Sequence, residues 1–398
     1  MARIAIIGTG YVGLTTGVCF AHLGHQVVCA DIDASKIERL CRGEVPIVEH
    51  RLDELLARGL ANGNLQFVVG AANAVADAEI VFLCVPTPQG EDGSADLSYV
   101  EAAAAEIASV LPYEAIVVNK STVPVGSTRV VERVLKRPDV RVVSNPEFLR
   151  EGSAVDDFLR PDRVVVGADD KAAAIAVGAL YDSIHAQVIV TDPASAETIK
   201  YAANAFLATK LSFVNAIAAI CEGVGADIND VVVGMGFDKR IGAEFLRPGP
   251  GWGGSCFPKD SRALINIAQG AGYDFSLLRG VIDVNDEQFD RVADKIREAA
   301  GGSLDGATIA VWGLTFKART DDLRDSPAIS IIDRLQAAGA TVRAFDPTVT
   351  GQRPGVPAGI TIATDAVDAT NGADVLAVLT EWDEFRWIAP ADVHTVMK

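Results

Sequence analysis

Apolar positions in the first third of the chain come in short unbroken runs, with amphipathic stretches of about ten residues between them. RIAIIG (3–8) is such a run, rich in Ile, and it predicts a strand buried on both faces. LTTGVCFAHLG (14–24) follows with helical spacing, and QVVCADID (26–33) reads as a second strand that ends at Asp31. LQFVV (65–69), EIVFLCV (79–85) and AIVVNKS (115–121) are further strand candidates, separated by helical stretches such as VEAAAAEIASVL (100–111). Strands that alternate with helices predict a parallel, doubly wound sheet. Its ligands sit beyond the carboxyl ends of the strands.

The period changes at about residue 193. PASAETIKYAANAFLATKLSFVNAIAAICEGVG (193–225) keeps helical spacing with no internal Pro or Gly before Gly223, which is long for a globular helix. So apolar a helix is expected to pack against a second subunit as well as its own domain. More helix follows in SRALINIAQGAG (261–272) and from Ser276 to Gly302, where Gly301 and Gly302 mark a boundary. The α/β pattern then restarts: ATIAVWGLTF (307–316) as strand and loop, SPAISIIDRLQAAG (326–339) as a capped helix, ATVRAFDP (340–347) and ADVLAVLTEW (373–382) as strands. The expected architecture is α/β, in three parts. An N-terminal Rossmann domain (1–192) is followed by a central helical, dimerising segment with a long core helix (193–302). A smaller Rossmann-like domain (303–398) closes the chain.

Composition narrows the function classes. A net charge of −18 argues against nucleic acid or an anionic membrane as partner. An anionic small substrate then needs a local cluster of Lys and Arg. No signal-peptide pattern follows Met1, and no apolar run approaches the roughly 20 residues of a membrane span. Unpaired-looking cysteines inside core segments suit a reducing compartment, so a cytoplasmic location is expected.

The first turn carries chemistry. GTGYVG (8–13) has the G-x-G-x-x-G spacing between a strand and a helix, and Asp31 closes the next strand. Gly8 makes the tight turn, Gly10 admits a pyrophosphate and Gly13 lets the helix pack closely; the helix N-terminus holds the phosphates. Asp31 is placed for the ribose hydroxyls and repels a 2′-phosphate, which favours NAD over NADP. A flavin or an unliganded Rossmann-like domain is the alternative. VPTP (85–88), KSTVPVGST (120–128) and SNPEFLREG (144–152) fall at carboxyl ends of strands. Thr122 suits positioning of a water or a cofactor amide. Glu147 and Glu151 would share a face if helical, or could simply be solvated acids. Lys200 and Asn204, one turn apart on the long helix, form another site candidate.

Five of the six cysteines sit in apolar company. Cys256, in GPGWGGSCFPKD (249–260), does not. Glycines before it let backbone approach a ligand closely, and Pro258 suits the first turn of a helix. A thiol at a helix N-terminus beside Lys259 is activated toward thiolate, with Asp260 one turn on. The alternative is a glycine-rich turn with an incidental thiol. In the last domain Phe316, Lys317, Arg319 and Arg324 follow a strand without a glycine fingerprint, which points to a second nucleotide site of another kind. NAD in the first domain and a nucleotide-linked substrate in the last are expected.

With these residues assembled, the chain resembles the UDP-glucose/GDP-mannose dehydrogenase family from GTGYVG to TEWDEF. The motifs that carry the resemblance are KSTVPVG, NPEFLREG, KYAANAFLA, GFDKRIG, GPGWGGSCFPKD and LTFKARTDDLRDSP. GGSCFPKD resembles the UDP-glucose branch, whereas the UDP-N-acetylmannosamine branch has a His before the Cys. Trp252 stands where Tyr or Phe is usual.

The resemblance implies a four-electron oxidation of a primary alcohol to a carboxylate with two NAD in turn. UDP-glucose is the implied substrate and GDP-mannose the sibling alternative. Cys256 would hold a thiohemiacetal and then a thioester. Lys200, Asn204 and Asp260 would manage the C6 hydroxyl proton, and Thr122 and Glu147 the hydrolytic water. Cofactor contacts would come from Gly8, Gly10, Tyr11, Val12, Gly13, Asp31, Lys36, Pro86, Thr87, Thr122, Glu151 and Arg324. Phe148, Leu149, Phe245, Gly253, Phe316 and Lys317 would line the sugar nucleotide beside Glu147, Lys200 and Asn204. Arg240 would enter a neighbouring subunit's site in a homodimer or higher homo-oligomer. No metal is implied. An ordinary 3-hydroxy acid dehydrogenase shares the plan and a Lys-x-x-x-Asn helix but needs neither Cys256 nor residues 307–398. A catalytically silent regulator would be expected to lose Cys256, Lys200 or Glu147.

Overall fold

The computed structural model describes residues 1–90 and 94–398. The chain divides into two compact units, Met1–Ala202 and Ala203–Lys398, and the division falls inside the long helix Pro193–Val224.

The first unit is built on an eight-stranded sheet. Its strands are β1 (Arg3–Ile7), β2 (Gln26–Asp31), β3 (Leu65–Val69), β4 (Ile80–Leu83), β5 (Ile116–Asn119), β6 (Arg141–Ser144), β7 (Val164–Gly167) and β8 (Val188–Thr191). They lie in the order β3-β2-β1-β4-β5-β6-β7-β8. All neighbours are parallel except β6 and β7, which meet antiparallel at Ser144 and Gly167. Ile4, Ile6 and Phe82 pack on one face and Ala5, Ile7 and Val81 on the other, so both faces are buried. That is why these strands read as unbroken apolar runs rather than as alternation. The order reverses between β1 and β4, where a doubly wound sheet opens its crevice. A Cβ on Gly8, which has φ +96°, would lie 2.7 Å from the Cys84 carbonyl oxygen, so only glycine lets the loops after β1 and β4 meet.

The second unit holds β9 (Thr308–Trp312), β10 (Thr341–Phe345), β11 (Thr361–Ile362) and β12 (Val375–Val378) in the order β11-β10-β9-β12, all parallel. This repeats the arrangement of β3-β2-β1-β4. Gly313 N–H donates to Phe345 O at 2.8 Å after β9, as Gly8 N–H donates to Ala30 O at 2.8 Å after β1. An acid follows β10 just as one ends β2. Asp346 Oδ2 accepts from Leu314 N (2.8 Å), Thr315 N and Oγ1 (3.2 Å each) and Trp382 Nε1 (3.1 Å), while its Oδ1 accepts from Thr348. The Ser326 hydroxyl does not cap the helix Pro327–Ala337. It donates to Leu314 O at 2.7 Å instead.

Among the described residues one helix, Pro193–Val224, is long and apolar enough by length and composition to cross a membrane. This corrects the reading that no stretch approaches that length. Several of its polar groups are nonetheless buried and partnered. The Glu197 carboxylate accepts from Gly126 N (2.6 Å), Thr128 N (3.0 Å) and Thr128 Oγ1 (2.8 Å), and so caps the helix Ser127–Leu135. Further along, Ser212 Oγ donates to Val281 O and accepts from Trp252 Nε1, and Asn215 Oδ1 accepts from Gly249 N. A buried polar group in lipid has no such partners. Phe206, Phe213 and Ile220, seven residues apart in turn, are exposed.

Candidate active site

The expected site residues fall into three clusters. The first lies at the start of the helix Tyr11–His22, whose N-cap Gly10 offers no side-chain hydrogen bond, so its first amides remain available to an anion. A Cβ on Gly13 would fall 1.9 Å from Gly8 O, whereas one on Gly10 would meet nothing within 4 Å. Gly13 is thus demanded by packing, while Gly10 borders open space, as the expected pyrophosphate contact requires. Asp31 Oδ2 accepts from Thr9 N (2.9 Å), Thr9 Oγ1 (2.6 Å) and Lys36 Nζ (2.9 Å). Burial alone would raise this carboxyl, but the Thr9 hydroxyl, the Lys36 ammonium and two backbone amides hold it down at about 2. Tyr11 is turned to another task. Its hydroxyl donates to the Glu49 carboxylate and accepts from Gly152 N at 2.8 Å, tying the glycine loop to the segment that carries Glu151. Val12 is half-buried beside it.

The second cluster forms beyond β4, β5 and β6. Pro86 and Thr87 follow β4, and Thr87 Oγ1 donates to Thr122 O at 2.8 Å, which brings two predicted cofactor contacts together. Residues 145–150 are not helical, so Glu147 and Glu151 share no helical face. Their environments differ. Glu147 is buried and Glu151 is half-exposed. Glu147 Oε1 accepts from Lys200 Nζ at 2.8 Å and its Oε2 from Leu149 N at 2.6 Å. Burial pushes the Glu147 carboxyl up, yet the Lys200 ammonium, the Leu149 amide and the Lys120 charge together hold it below its ordinary value. The Phe148 ring lies under the Arg163 guanidinium at 3.7 Å and within 5.5 Å of Lys200 Nζ.

The third cluster belongs to the second unit. Cys256 is the N-cap of the helix Phe257–Gly270 and is half-exposed, with Pro258 in the first turn. Asp260 N donates to Cys256 O at 2.8 Å. The fully buried Asp260 accepts from Asn204 Nδ2 at 2.6 Å through Oδ2, and Lys259 Nζ lies 2.9 Å from its Oδ1. Lys259 is therefore matched by a carboxylate, and the positive charge expected beside the thiol is largely spoken for.

Three of the four glycines of this loop are required by the packing of the protein itself, whereas Gly249 borders open space. A Cβ on Gly253 would lie 1.8 Å from Asp325 O, one on Gly254 2.7 Å from the Phe316 ring, and one on Gly251 2.4 Å from Phe289. Gly254 N also donates to Arg324 O at 3.1 Å. The cysteine loop and the loop carrying Phe316 and Lys317 are thus one packed body. Lys317 Nζ stands 5.4 Å from the Phe316 ring, while the Arg324 guanidinium is forked onto Asp322. Phe245 holds φ +61° and its ring is 6.4 Å from that of Phe257. Arg240, largely exposed, pairs with Asp238 at 2.6 Å. Trp252 is buried because its indole N–H reaches Ser212, which a Phe could not do.

Family models decide what this assembly is. The NAD binding domain of the UDP-glucose/GDP-mannose dehydrogenases matches residues 2–185, the central domain 194–287 and the UDP binding domain 310–398. The chain belongs to the UDP-glucose/GDP-mannose dehydrogenase family. It is 48% identical over 406 residues to UDP-glucose 6-dehydrogenase of Rhizobium meliloti (strain 1021), covering 100% of this chain and 93% of that protein. It is 45% identical over 404 residues to UDP-glucose 6-dehydrogenase TuaD of Bacillus subtilis (strain 168), covering 100% and 87%. A UDP-glucose dehydrogenase structure from Pyrobaculum islandicum superposes with a TM-score of 0.92 at 38% identity, covering 98% of this chain and 92% of that one.

The cofactor of this dehydrogenase family member is NAD, and the expectation that Asp31 selects it over NADP is testable. In Asp31→Ala the like-charge clash with a 2′-phosphate disappears and Lys36 is released to meet that phosphate. The ratio of kcat/KM with NAD to kcat/KM with NADP should then fall by roughly 10–100-fold, about 1.4 kcal/mol per tenfold. An unchanged ratio would show that the acid does not read the cofactor.

Sequence reading missed Lys120, Asn145 and Tyr181, which form a buried cluster beside Glu147. The signal was a lysine directly after the apolar run of β5, where nothing but burial awaits it. Among the described residues no group of three or more His, Cys, Asp or Glu could hold a metal ion.

Proposed function

We propose that this chain oxidises UDP-glucose to UDP-glucuronate with two NAD in turn. The observation that carries the reading is Cys256 at the N-terminus of a helix whose first turn presents the buried Asp260–Asn204 pair. Bound NAD would supply a hydride acceptor, held by the amides at Gly10–Gly13 and by Asp31. The chain's own residues do the rest. Asn204 and Asp260 orient the C6 oxygen, and Lys200 takes or returns its proton. Cys256 then adds across the resulting aldehyde. The S–C bond forms, the carbonyl π bond breaks, and the thiol proton is passed to oxygen, where the developing charge is stabilised. Transfer of the second hydride to a second NAD, with the hydroxyl proton passing to Lys200, leaves a thioester. Glu147, held as a carboxylate, removes a proton from water that Thr122 positions. Attack by that water breaks the S–C bond and restores the thiol. The rigid loop of Phe316 and Lys317 is proposed to hold the UDP moiety.

The three segments 1–192, 193–302 and 303–398 are proposed as the cofactor, dimerising and UDP-sugar domains. The exposed Phe206, Phe213 and Ile220 support a homodimer packed along the long helix, with Arg240 offered to a second subunit's substrate. All six cysteines are free thiols, which fits a cytoplasmic enzyme.

The test is stoichiometric. Purified protein should form two NADH per UDP-glucose consumed, with UDP-glucuronate as the product. GDP-mannose run in parallel should be turned over at least about 100-fold less efficiently. One NADH per substrate, or GDP-mannose as the better substrate, would overturn the reading.

A further inference from the structure

Lys120 is the least expected charge in the first unit. It is 5% exposed and follows β5 directly. Its Nζ donates to Asn145 Oδ1 at 3.1 Å and to Tyr181 OH at 3.3 Å. Both partners are neutral. Tyr181 OH also donates to Asn145 Oδ1 at 2.8 Å, Asn145 Nδ2 donates to Val165 O at 2.7 Å, and Asn145 N donates to Asn119 O at 2.9 Å. Asn145 is thus fastened at every polar atom of its side chain, two residues before Glu147.

An ammonium buried among neutral partners costs stability, because their dipoles replace only part of its hydration. Asn145 would keep its tyrosine and backbone bonds without it. A charge so costly to bury that still sits in the core calls for a functional account. The charges that act on Lys120 supply one. Burial pulls its pKa down to about 8, Cys84 and Glu147 act in the opposite direction, and Lys200 adds repulsion. Burial holds the Cys84 thiol at about 12, so it is uncharged near neutrality. Glu147 is therefore the one anion among these groups, and it faces two lysines, Lys200 in contact and Lys120 through space.

We propose that Lys120 is a positioning residue for the hydrolytic step, held by Tyr181 and by Asn145, two residues before Glu147, so that it lends Glu147 a second positive charge and Lys200 can change its proton without leaving Glu147 uncompensated. Lys120 touches neither substrate nor cofactor in this role. The proposal rests on the assignment of Glu147 as the base that activates water. When Lys200 is the neutral amine, as it must be to accept the C6 hydroxyl proton, Lys120 remains as the compensating cation.

The experiment compares wild type, Lys120→Met, Lys120→Arg and Glu147→Gln as full-length enzyme, by kcat-versus-pH at saturating UDP-glucose and NAD and by thermal midpoint. In Lys120→Met the acid limb of kcat should move up by about one pH unit or more, so that on that limb kcat, normalised to its value at about pH 8, is about tenfold or more below wild type. Both KM values should stay within about twofold of wild type, and the thermal midpoint should be equal or higher. Lys120→Arg should return the wild-type profile. A Lys120→Met profile parallel to wild type, whatever its midpoint, overturns the proposal. If Lys120→Met does not accumulate as folded protein, Lys120→Arg carries the test, and an acid limb displaced in that variant overturns it as well. Glu147→Gln separates the two assignments. Wild-type turnover in Glu147→Gln removes the base reading and the Lys120 proposal with it, whereas slow Glu147→Gln with an unshifted Lys120→Met removes only the latter.

Discussion

Cys256→Ala should bind UDP-glucose and NAD as the wild-type enzyme does and make almost no UDP-glucuronate. The substitution removes one half-exposed sulfur from the N-cap of the helix Phe257–Gly270. Glycine packing against Phe316 and Asp325, the Asp260–Asn204 pair and the Asp31 cluster are all untouched. The first hydride transfer needs no covalent bond, so an aldehyde can still form. Without a thiohemiacetal the second transfer has no substrate, and acid formation should fall by at least about 10³-fold. Ser255 Oγ lies 3.6 Å from the sulfur, but an unactivated hydroxyl is a poor replacement for a thiolate. Chromatographic separation of UDP-glucose, aldehyde and acid after a single turnover reads the result. Acid at near wild-type rate, with two NADH each, would show that sulfur is not the covalent anchor.

Lys200→Met should cost both activity and fold stability. The Lys200–Glu147 pair has side chains 4% and 5% exposed, and removing one partner of so buried a pair typically costs about 3–5 kcal/mol. The pH dependence gives the effect its signature. In the wild type Glu147 titrates below its ordinary value, so its contribution is present above the unfolded pKa and is lost as pH falls through the lower folded one. In Lys200→Met burial dominates and the folded pKa lies above the unfolded value. The variant is then penalised at neutral pH and recovers as acid protonates Glu147. The gap in urea midpoint between variant and wild type should accordingly be widest near about pH 7.5 and shrink near about pH 5. A gap independent of pH would mean that lost packing, not a buried carboxylate left with only the Lys120 charge and the Leu149 amide, is responsible.

Much of this was legible because the signals are local. The strands β1, β4 and β5 are buried on both faces, and such strands announce themselves as unbroken apolar runs rich in Ile and Val. The long helix announced itself by spacing and by the lack of Gly and Pro, and the cysteine helix by Pro258. What stayed hidden depends on distant partners. The reversed direction of β7 leaves no mark on its side chains, and the two-residue β11 and the short helix Ile228–Gly236 fall below any periodicity. The glycines before Cys256 looked like room for a ligand because Phe316, Asp325 and Phe289 arrive from later in the chain. Lys259 looked free to act on the thiol until folding placed Asp260 against it. Glu147 and Lys200, 53 residues apart, could be named but not paired.

The lock around Asp346 has a thermodynamic consequence. Six donors from four residues converge on its two oxygens, and the amides of Leu314 and Thr315 among them are those that lead directly into Phe316 and Lys317. Conformational freedom in that stretch is therefore given up when the second unit folds, not when a nucleotide arrives. Calorimetry of UDP association should show a small entropic penalty and a heat-capacity change no larger than the ligand's own buried surface requires, with affinity set by how quickly UDP leaves rather than by how long the loop takes to form.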